Sequence, residues 1–373
     1  MASIRQNINY IFDTLCNAGD NPDARKNIKP ATPLSSEINF FKRLKFRQGE
    51  YINFFNGLMF IHFQEVEKTS SGEEVITDYY AVKGLNTSEF QSEIFESFFS
   101  IHDITEATFL FLSPLLKLKI KEGMSSTELT YDLLYQQDDK IYEGHSLTEL
   151  INYFEPISIF RLEDISTKFN ESYQSCAYYI LSSCEKLITL PLTTITVEKL
   201  KRLFIVNAKI PKDNIFLSLT SSHLKHCFLE LYRCIEWLYV IPRSRKLKGA
   251  IEYSKPAYEL AIHCIDELSW RRKEEDSLAK IIADILKTNE ELSFKLLGCK
   301  LFREIPPDSE SIAKHLYSFR NQFVHQFEAK KEKSVILEDL AEAVDLISDI
   351  IIHAYELYDS DIIAWQEPSV IVQ

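Results

Sequence analysis

Glycine is scarce in this chain, with 9 among 373 residues. Neither G-x-G-x-x-G nor G-x-x-x-x-G-K followed by Ser or Thr occurs, so no backbone loop of the nucleotide-cradling kind is on offer. The chain also lacks His-Glu-x-x-His, any Cys/His cluster at zinc spacing and a Gly-x-Ser-x-Gly elbow. These absences remove the common zinc and serine hydrolases and leave no cofactor to expect. Cys-x-x-Cys is missing too, and the seven cysteines (Cys16, Cys176, Cys184, Cys227, Cys234, Cys264, Cys299) are odd in number. They read as small core residues of a protein kept reduced, hence a cytoplasmic one, and the sequons at Asn86 and Asn170 then carry no meaning. No apolar run is long enough to span a bilayer, and no continuous apolar stretch follows Arg5 as a signal peptide needs, so no membrane association is expected. Basic residues vanish after Ser334, where nine acids follow.

What is present is an ordinary globular composition: 45% hydrophobic and 26% charged, with 25 Phe and 18 Tyr. Such a chain buries cores rather than remaining disordered, and its length suits one large domain or two ordinary ones. The net charge of −13 argues against a generic nucleic-acid coat protein. Its distribution is uneven. Between Pro211 and Lys333 there are 21 Lys+Arg against 18 Asp+Glu, a balance of +3. The densest basic patches are Arg243, Arg245, Lys246 and Lys248, then Lys330, Lys331 and Lys333; they read equally as solvated loop ends or as contacts to an RNA backbone.

Three parts are expected. Residues 1–35 form an N-terminal arm, with a short amphipathic piece around Ile8, Ile11 and Leu15 and a loop from Asn17 to Pro33. Residues 36–210 form an α+β domain. Leu58–Glu67 and Val75–Lys83 alternate as strands around Lys-Thr-Ser-Ser-Gly, a hairpin signal in which His62 is a strand residue with a hydrogen-bond partner. Thr87 or Ser88 can cap a helix running to about Ile101, and Tyr131–Tyr135 with Lys140–Glu143 suggests a second strand pair. Ser146-Leu-Thr-Glu149 is a capping box opening a helix to Phe154. Helices near Lys168–Leu187 and Thr196–Asn207 complete this part. It carries no chemical motif, so binding of a trigger or regulatory protein is its default role.

Beyond a linker at Ala208–Asn214, residues 211–373 read as all helical. Ile215–Val240 is one long helix with Phe216, Leu219, His223, Cys227, Leu231, Cys234 and Leu238 along a side. Pro256–Lys273, Ser277–Lys287 and Glu290–Leu297 follow. Ser334–Tyr358 keeps a three-four spacing through Leu337, Leu340, Val344, Ile347, Ile351, Ala354 and Tyr358, as a four- to five-helix bundle requires. The strongest helix signal is Asp308–Phe327. Pro306 and Pro307 stop anything upstream, Asp308 or Ser309 can cap, and Ile312, Leu316, Phe319, Phe323 and Phe327 make one apolar stripe. At about 100° per residue, Asn321 and His325 lie a turn apart opposite that stripe, with Arg320 on the flank.

Arg320-Asn321-Gln322-Phe323-Val324-His325 resembles the Arg-x4–6-His signature of the HEPN superfamily, in the form with a polar residue after the arginine, and it is the only such match in the chain. The setting, a C-terminal helical module with the motif on its third main helix, is similar to the Apea-like HEPN modules of bacterial defence proteins. The fold expectation is therefore an α+β N-terminal domain followed by an all-α HEPN-like helical bundle. The resemblance implies metal-independent RNA cleavage leaving a cyclic phosphate, at a composite site of two motifs across a homodimer. No carboxylate lies beside the motif in sequence at ligand spacing, which agrees with a reaction needing no metal. A histidine can move protons near neutrality, while an arginine can grip two phosphate oxygens. Asn321 can orient either, and Glu236 is a candidate to hold Arg320 in place. A non-catalytic interaction protein, dimeric through the same helices or binding a nucleotide, is the alternative.

Overall fold

The computed structural model describes residues 3–26, 28–53, 58–90, 98–134, 142–163, 173–206, 209–268, 274–303, 305–324 and 337–362. The contacts divide the chain into Met1–Ala177 and Tyr178–Gln373, so the division falls inside the helix expected near residue 168, and the one expected near residue 196 belongs to the second unit.

The first unit opens with α1 (Ile4–Ala18) and α2 (Ser35–Arg43). Ser3 and Gln6 cap α1 reciprocally, and Ile11, Phe12, Leu15 and Cys16 on one face are buried. Residues 1–35 thus contribute directly to a core. Five strands follow: β1 (Leu44–Asn53), β2 (Met59–Lys68), β3 (Glu74–Lys83), β4 (Phe99–His102) and β5 (Ile157–Leu162). They form one antiparallel sheet in the order β1-β2-β3-β5-β4. The expected hairpin is β2–β3. Its turn closes with Gly72 N–H donating to Thr69 at 3.0 Å, and the glycine adopts φ 86°, where a side chain would be strained. His62 Nε2 lies 2.7 Å from Asp78 Oδ1, the cross-strand partner expected of it. One sheet face (Ile61, Phe63, Tyr79, Ala81, Ile159) packs on α1, α2 and α3 (Glu106–Leu115). Asn7 of α1 donates to the Leu110 carbonyl at 2.9 Å, and Glu37 of α2 accepts the Ala107 N–H at 2.9 Å where α3 begins.

Three expectations change here. Asn86, not Thr87, caps a helical turn over Thr87–Glu89, residues 91–97 of the expected helix lie outside the described residues, and Ile101 lies in β4 because its strand pairs with β5. Tyr131–Leu134 is a wide helical turn continuing α4 (Ser126–Leu129), not a strand; residues 135–141 of the second expected pair lie outside the described residues. The helix α5 after Ser146 covers Leu147–Leu150 and tightens into a further turn to Tyr153, as expected, but Ser146 Oγ accepts the Thr148 N–H at 3.2 Å and the capping box with Glu149 is not formed.

The second unit is mostly helical, with no strand among its described residues. Helix α6 (Tyr173–Ser182) leads into it, followed by α7 (Thr194–Val206), α8 (Lys212–Thr220), α9 (Leu224–Glu236), α10 (Ile241–Ala250), α11 (Ala257–Leu268), α12 (Glu274–Thr288), α13 (Glu290–Gly298), α14 (Ser309–Val324) and α15 (Leu337–Leu357). The single long helix expected from Ile215 is two. Ser221 turns extended (φ −70°, ψ 150°), its hydroxyl donating to the Ser218 carbonyl, and His223 is exposed rather than on the buried side. Helix α9 packs on α8 and α15, and α12 packs on α14. The stripe of α15 is buried from Leu340 through Tyr358. Asp345 and Asp349, one turn apart on α15, ion-pair with Lys199 of α7 and with Lys295 of α13. All seven cysteines are buried; burial pushes the Cys227 thiol up to about 12, as befits an inert core residue. Among the described residues no helix is long and apolar enough to cross a membrane.

Candidate functional site

Helix α14 begins where Asp308 Oδ1 accepts the Ser311 N–H at 2.8 Å, the cap its sequence calls for. Ile312, Ala313, Leu316 and Phe319 are buried. Phe319 meets Phe228 of α9 edge to face at 5.2 Å, and Phe323 closes a three-ring cluster, 5.0 Å from Phe319 and 6.0 Å from Phe228. This apolar anchor fixes the rotation of α14, and so decides where its other face looks.

On that other face Arg320 is held from three sides. Nη2 donates to Glu236 Oε1 at 3.0 Å, Nη1 donates to Asn321 Oδ1 at 2.9 Å, and the guanidinium lies 5.8 Å from the centre of the Tyr232 ring. Tyr232 and Glu236 are one turn apart on α9, so a single helix face supplies both ring and carboxylate. Tyr239 donates to the Tyr232 hydroxyl at 2.8 Å, and burial pushes both phenols up, so neither is a proton donor near neutrality. Side-chain exposure is 20% for Arg320 and 25% for Glu236, enough shelter to strengthen the pair. The geometry makes Glu236 the support of Arg320 rather than a solvated surface residue. It also alters one sequence statement: a carboxylate does stand beside the motif, brought by α9, and it is engaged by the guanidinium. Among the described residues no group of three or more His, Cys, Asp or Glu could hold a metal ion.

His325 lies outside the described residues, as do Lys330, Lys331 and Lys333. Arg243, Arg245, Lys246 and Lys248 are on α10, not at a loop end. Arg243 pairs with Asp276 at 3.3 Å and Arg245 with Asp361 at 2.8 Å, its guanidinium 5.2 Å from the Tyr358 ring centre. Both arginines therefore brace the unit, while Lys246 is exposed. Sequence reasoning missed Tyr232, whose only signal was its place one turn before Glu236. It also missed a cleft of about 350 Å³ that Glu236 lines together with Asn214, Trp237, Tyr258 and Ile265.

Compared with protein-family models, curated proteins and solved structures, the chain matches none.

Proposed function

We propose that the protein is a metal-independent endoribonuclease of HEPN type, acting as a toxin-like effector in antiviral defence. The observation that carries this reading is Arg320 at the end of α14, held by Glu236, Asn321 and the Tyr232 ring. A guanidinium fixed in advance loses little freedom on meeting a phosphate, and its remaining N–H donors suit two phosphate oxygens at once. RNA carries its own nucleophile. In the proposed reaction the 2′-oxygen bonds to phosphorus, the bond from phosphorus to the 5′-oxygen breaks, and a 2′,3′-cyclic phosphate and a 5′-hydroxyl result. A base takes the 2′-hydroxyl proton and an acid supplies one to the 5′-oxygen; His325 serves as one, and His325 of a second copy as the other. Arg320 stabilises the charge on the pentacoordinate phosphorus. Lys246 and Lys248, with Lys330, Lys331 and Lys333, are the proposed backbone contacts, and the first unit is the proposed place for a trigger or regulator.

The test is RNA integrity in cells and with purified protein. Arg320→Ala and His325→Ala should each abolish cleavage in a protein that still unfolds cooperatively, Arg320→Ala at a lower melting temperature because Glu236 loses its partner, and Arg320→Lys should fail as well because an ammonium does not reproduce a forked grip. Asn321→Ala should be intermediate. Cleavage should survive a chelator. Full activity in His325→Ala, or activity lost in EDTA and restored by Mg²⁺, overturns the metal-independent HEPN mechanism; no RNA cleavage by the wild-type protein favours a non-catalytic, dimeric interaction protein.

A further inference from the structure

The cleft beside Glu236 is formed by α8, the end of α9 and α11, and it has a definite chemical character. Two half-buried aromatic residues, Trp237 and Tyr258, line it. Ile262 and Ile265, one turn apart on α11 and each 38% exposed, form an apolar lip. Asn214 supplies a polar group whose orientation is fixed, because its amide donates to Glu230 at 2.7 Å. The charges at the edge are matched: Arg233 pairs with Glu230, and Glu236 pairs with Arg320. A volume of about 350 Å³ lies at the lower end of the roughly 300–1,000 Å³ typical of small-molecule sites.

A neutral cleft with aromatic residues, an apolar lip and one fixed amide suits a flat heteroaromatic ring better than an ion, a sugar or an acyl chain. Its position adds the second half. Glu236 belongs to the cleft and to the Arg320 ion pair alike, so the cleft begins where the cation of the motif ends. A flat ring beside a bound phosphate is a nucleotide.

We propose that this cleft receives the base of the nucleotide whose phosphate Arg320 holds, and so sets a base preference at the cleavage position. The inference rests on the nuclease reading for the phosphate and on the cleft alone for the base. The base enters unstacked and packs against Trp237 and Tyr258, and Asn214 reads its edge. The same chemistry could come from an RNA chain or from a free nucleotide.

The experiment uses the full-length protein and two probes: a labelled 2′-O-methyl RNA oligonucleotide, which has no free 2′-nucleophile and cannot be cut, and the four nucleoside 5′-monophosphates. Ile265→Arg fills the mouth of the cleft from an exposed position, Ile262→Arg repeats the block one turn away, and Ile251→Arg, 54% exposed and not a lining residue, is the control. Both cleft variants should keep the wild-type melting temperature and weaken oligonucleotide binding tenfold or more, while the control binds as wild type. Mapped cleavage ends should favour one base or base class in wild type and lose that bias in the cleft variants. Binding of a monophosphate, lost in the same variants, supports the site with a free nucleotide as its source; binding of the oligonucleotide alone supports it with RNA as the source. Unchanged oligonucleotide binding and unchanged end bias in both cleft variants overturn the proposal even if Arg320→Ala abolishes cleavage. A shift from dimer to monomer in Ile265→Arg also overturns it, because the cleft is then a protein contact. If the wild-type protein cleaves no RNA while the cleft variants still lose oligonucleotide binding, the nuclease reading falls and the base site stands.

Discussion

Lys201 shows what a single ionisable group costs when the surroundings do not meet it. Its side chain on α7 is 1% exposed; Nζ lies 3.5 Å from Glu198 and 5.5 Å from the centre of the Tyr179 ring, without a hydrogen bond among the described residues. Burial lowers its pKa from 10.5 to about 8. The unfolded chain therefore keeps the proton between about pH 8 and 10.5 after the folded chain has lost it, so this residue adds stability as pH rises through that window, and its burden is complete below it. Lys201→Met should stabilise the protein at pH 7 by about 1–3 kcal/mol, because the chain length is kept and no charge is buried. The gap to wild type should narrow between pH 7 and pH 10. Urea midpoints at the two pH values decide it, and a Lys201→Met protein less stable than wild type at pH 7 rejects it. Nothing in the sequence marked Lys201: in Glu198-Lys-Leu-Lys201 it reads as a solvated residue, and only the folded chain distinguishes it from Lys199.

The motif helix is where sequence and structure agree most closely, and the reason is physical. Its cap, its apolar stripe and its polar face are encoded in Asp308 and the sixteen residues of α14 after it, so no distant partner is needed to read them. The hairpin β2–β3 was legible for the same reason, alternation and a glycine turn being local. Elements buried on all sides were not. In β5, Ile157, Ser158, Ile159 and Phe160 are all buried, and in α3 every residue from Ala107 to Ser113 is buried, so neither shows a period. The break at Ser221–His223 escaped notice because Leu219, His223 and Cys227 keep helical spacing across it. Phe319→Ala should cost about 3–5 kcal/mol, since the ring is 5% exposed between Phe228 and Phe323. Asp308→Ala should cost clearly less than Phe319→Ala, through the lost cap alone. Denaturant titration of both variants checks the pair, and equal losses would mean that α14 is not held by its rings.

At the scale of the whole molecule, an antiparallel α+β unit with no recognised chemistry precedes a helical unit that carries the candidate site. Arg320, Asn321 and Glu236 could be named from the sequence, but the contact between α9 and α14 that joins them, and the cleft it adjoins, required the fold. In the proposed reaction a single motif would supply one histidine for two proton transfers, so that proposal requires a homodimer; light scattering at micromolar concentration should then give twice the mass of 43.4 kDa. A monomer there removes the composite site. On the proposed RNA-cleaving function, the pairing of Arg320 with Glu236 has a further consequence for how RNA would be met. A guanidinium facing a carboxylate presents little net charge to solution, so it neither attracts a polyanion from a distance nor displaces counterions on contact. Its pull is felt only after docking, when phosphate oxygens reach the remaining N–H groups. Binding should then depend weakly on ionic strength at this position. In a plot of the logarithm of the binding constant against the logarithm of salt concentration, measured with an uncleavable RNA, Glu236→Gln should steepen the slope by roughly 0.7–0.9, the contribution of one uncompensated cation. An unchanged slope would mean that Arg320 does not meet phosphate at all. On the proposed RNA-cleaving function, Glu236 would thus trade speed of encounter for selectivity: strands merely passing by would be ignored, and only one already seated would engage the arginine.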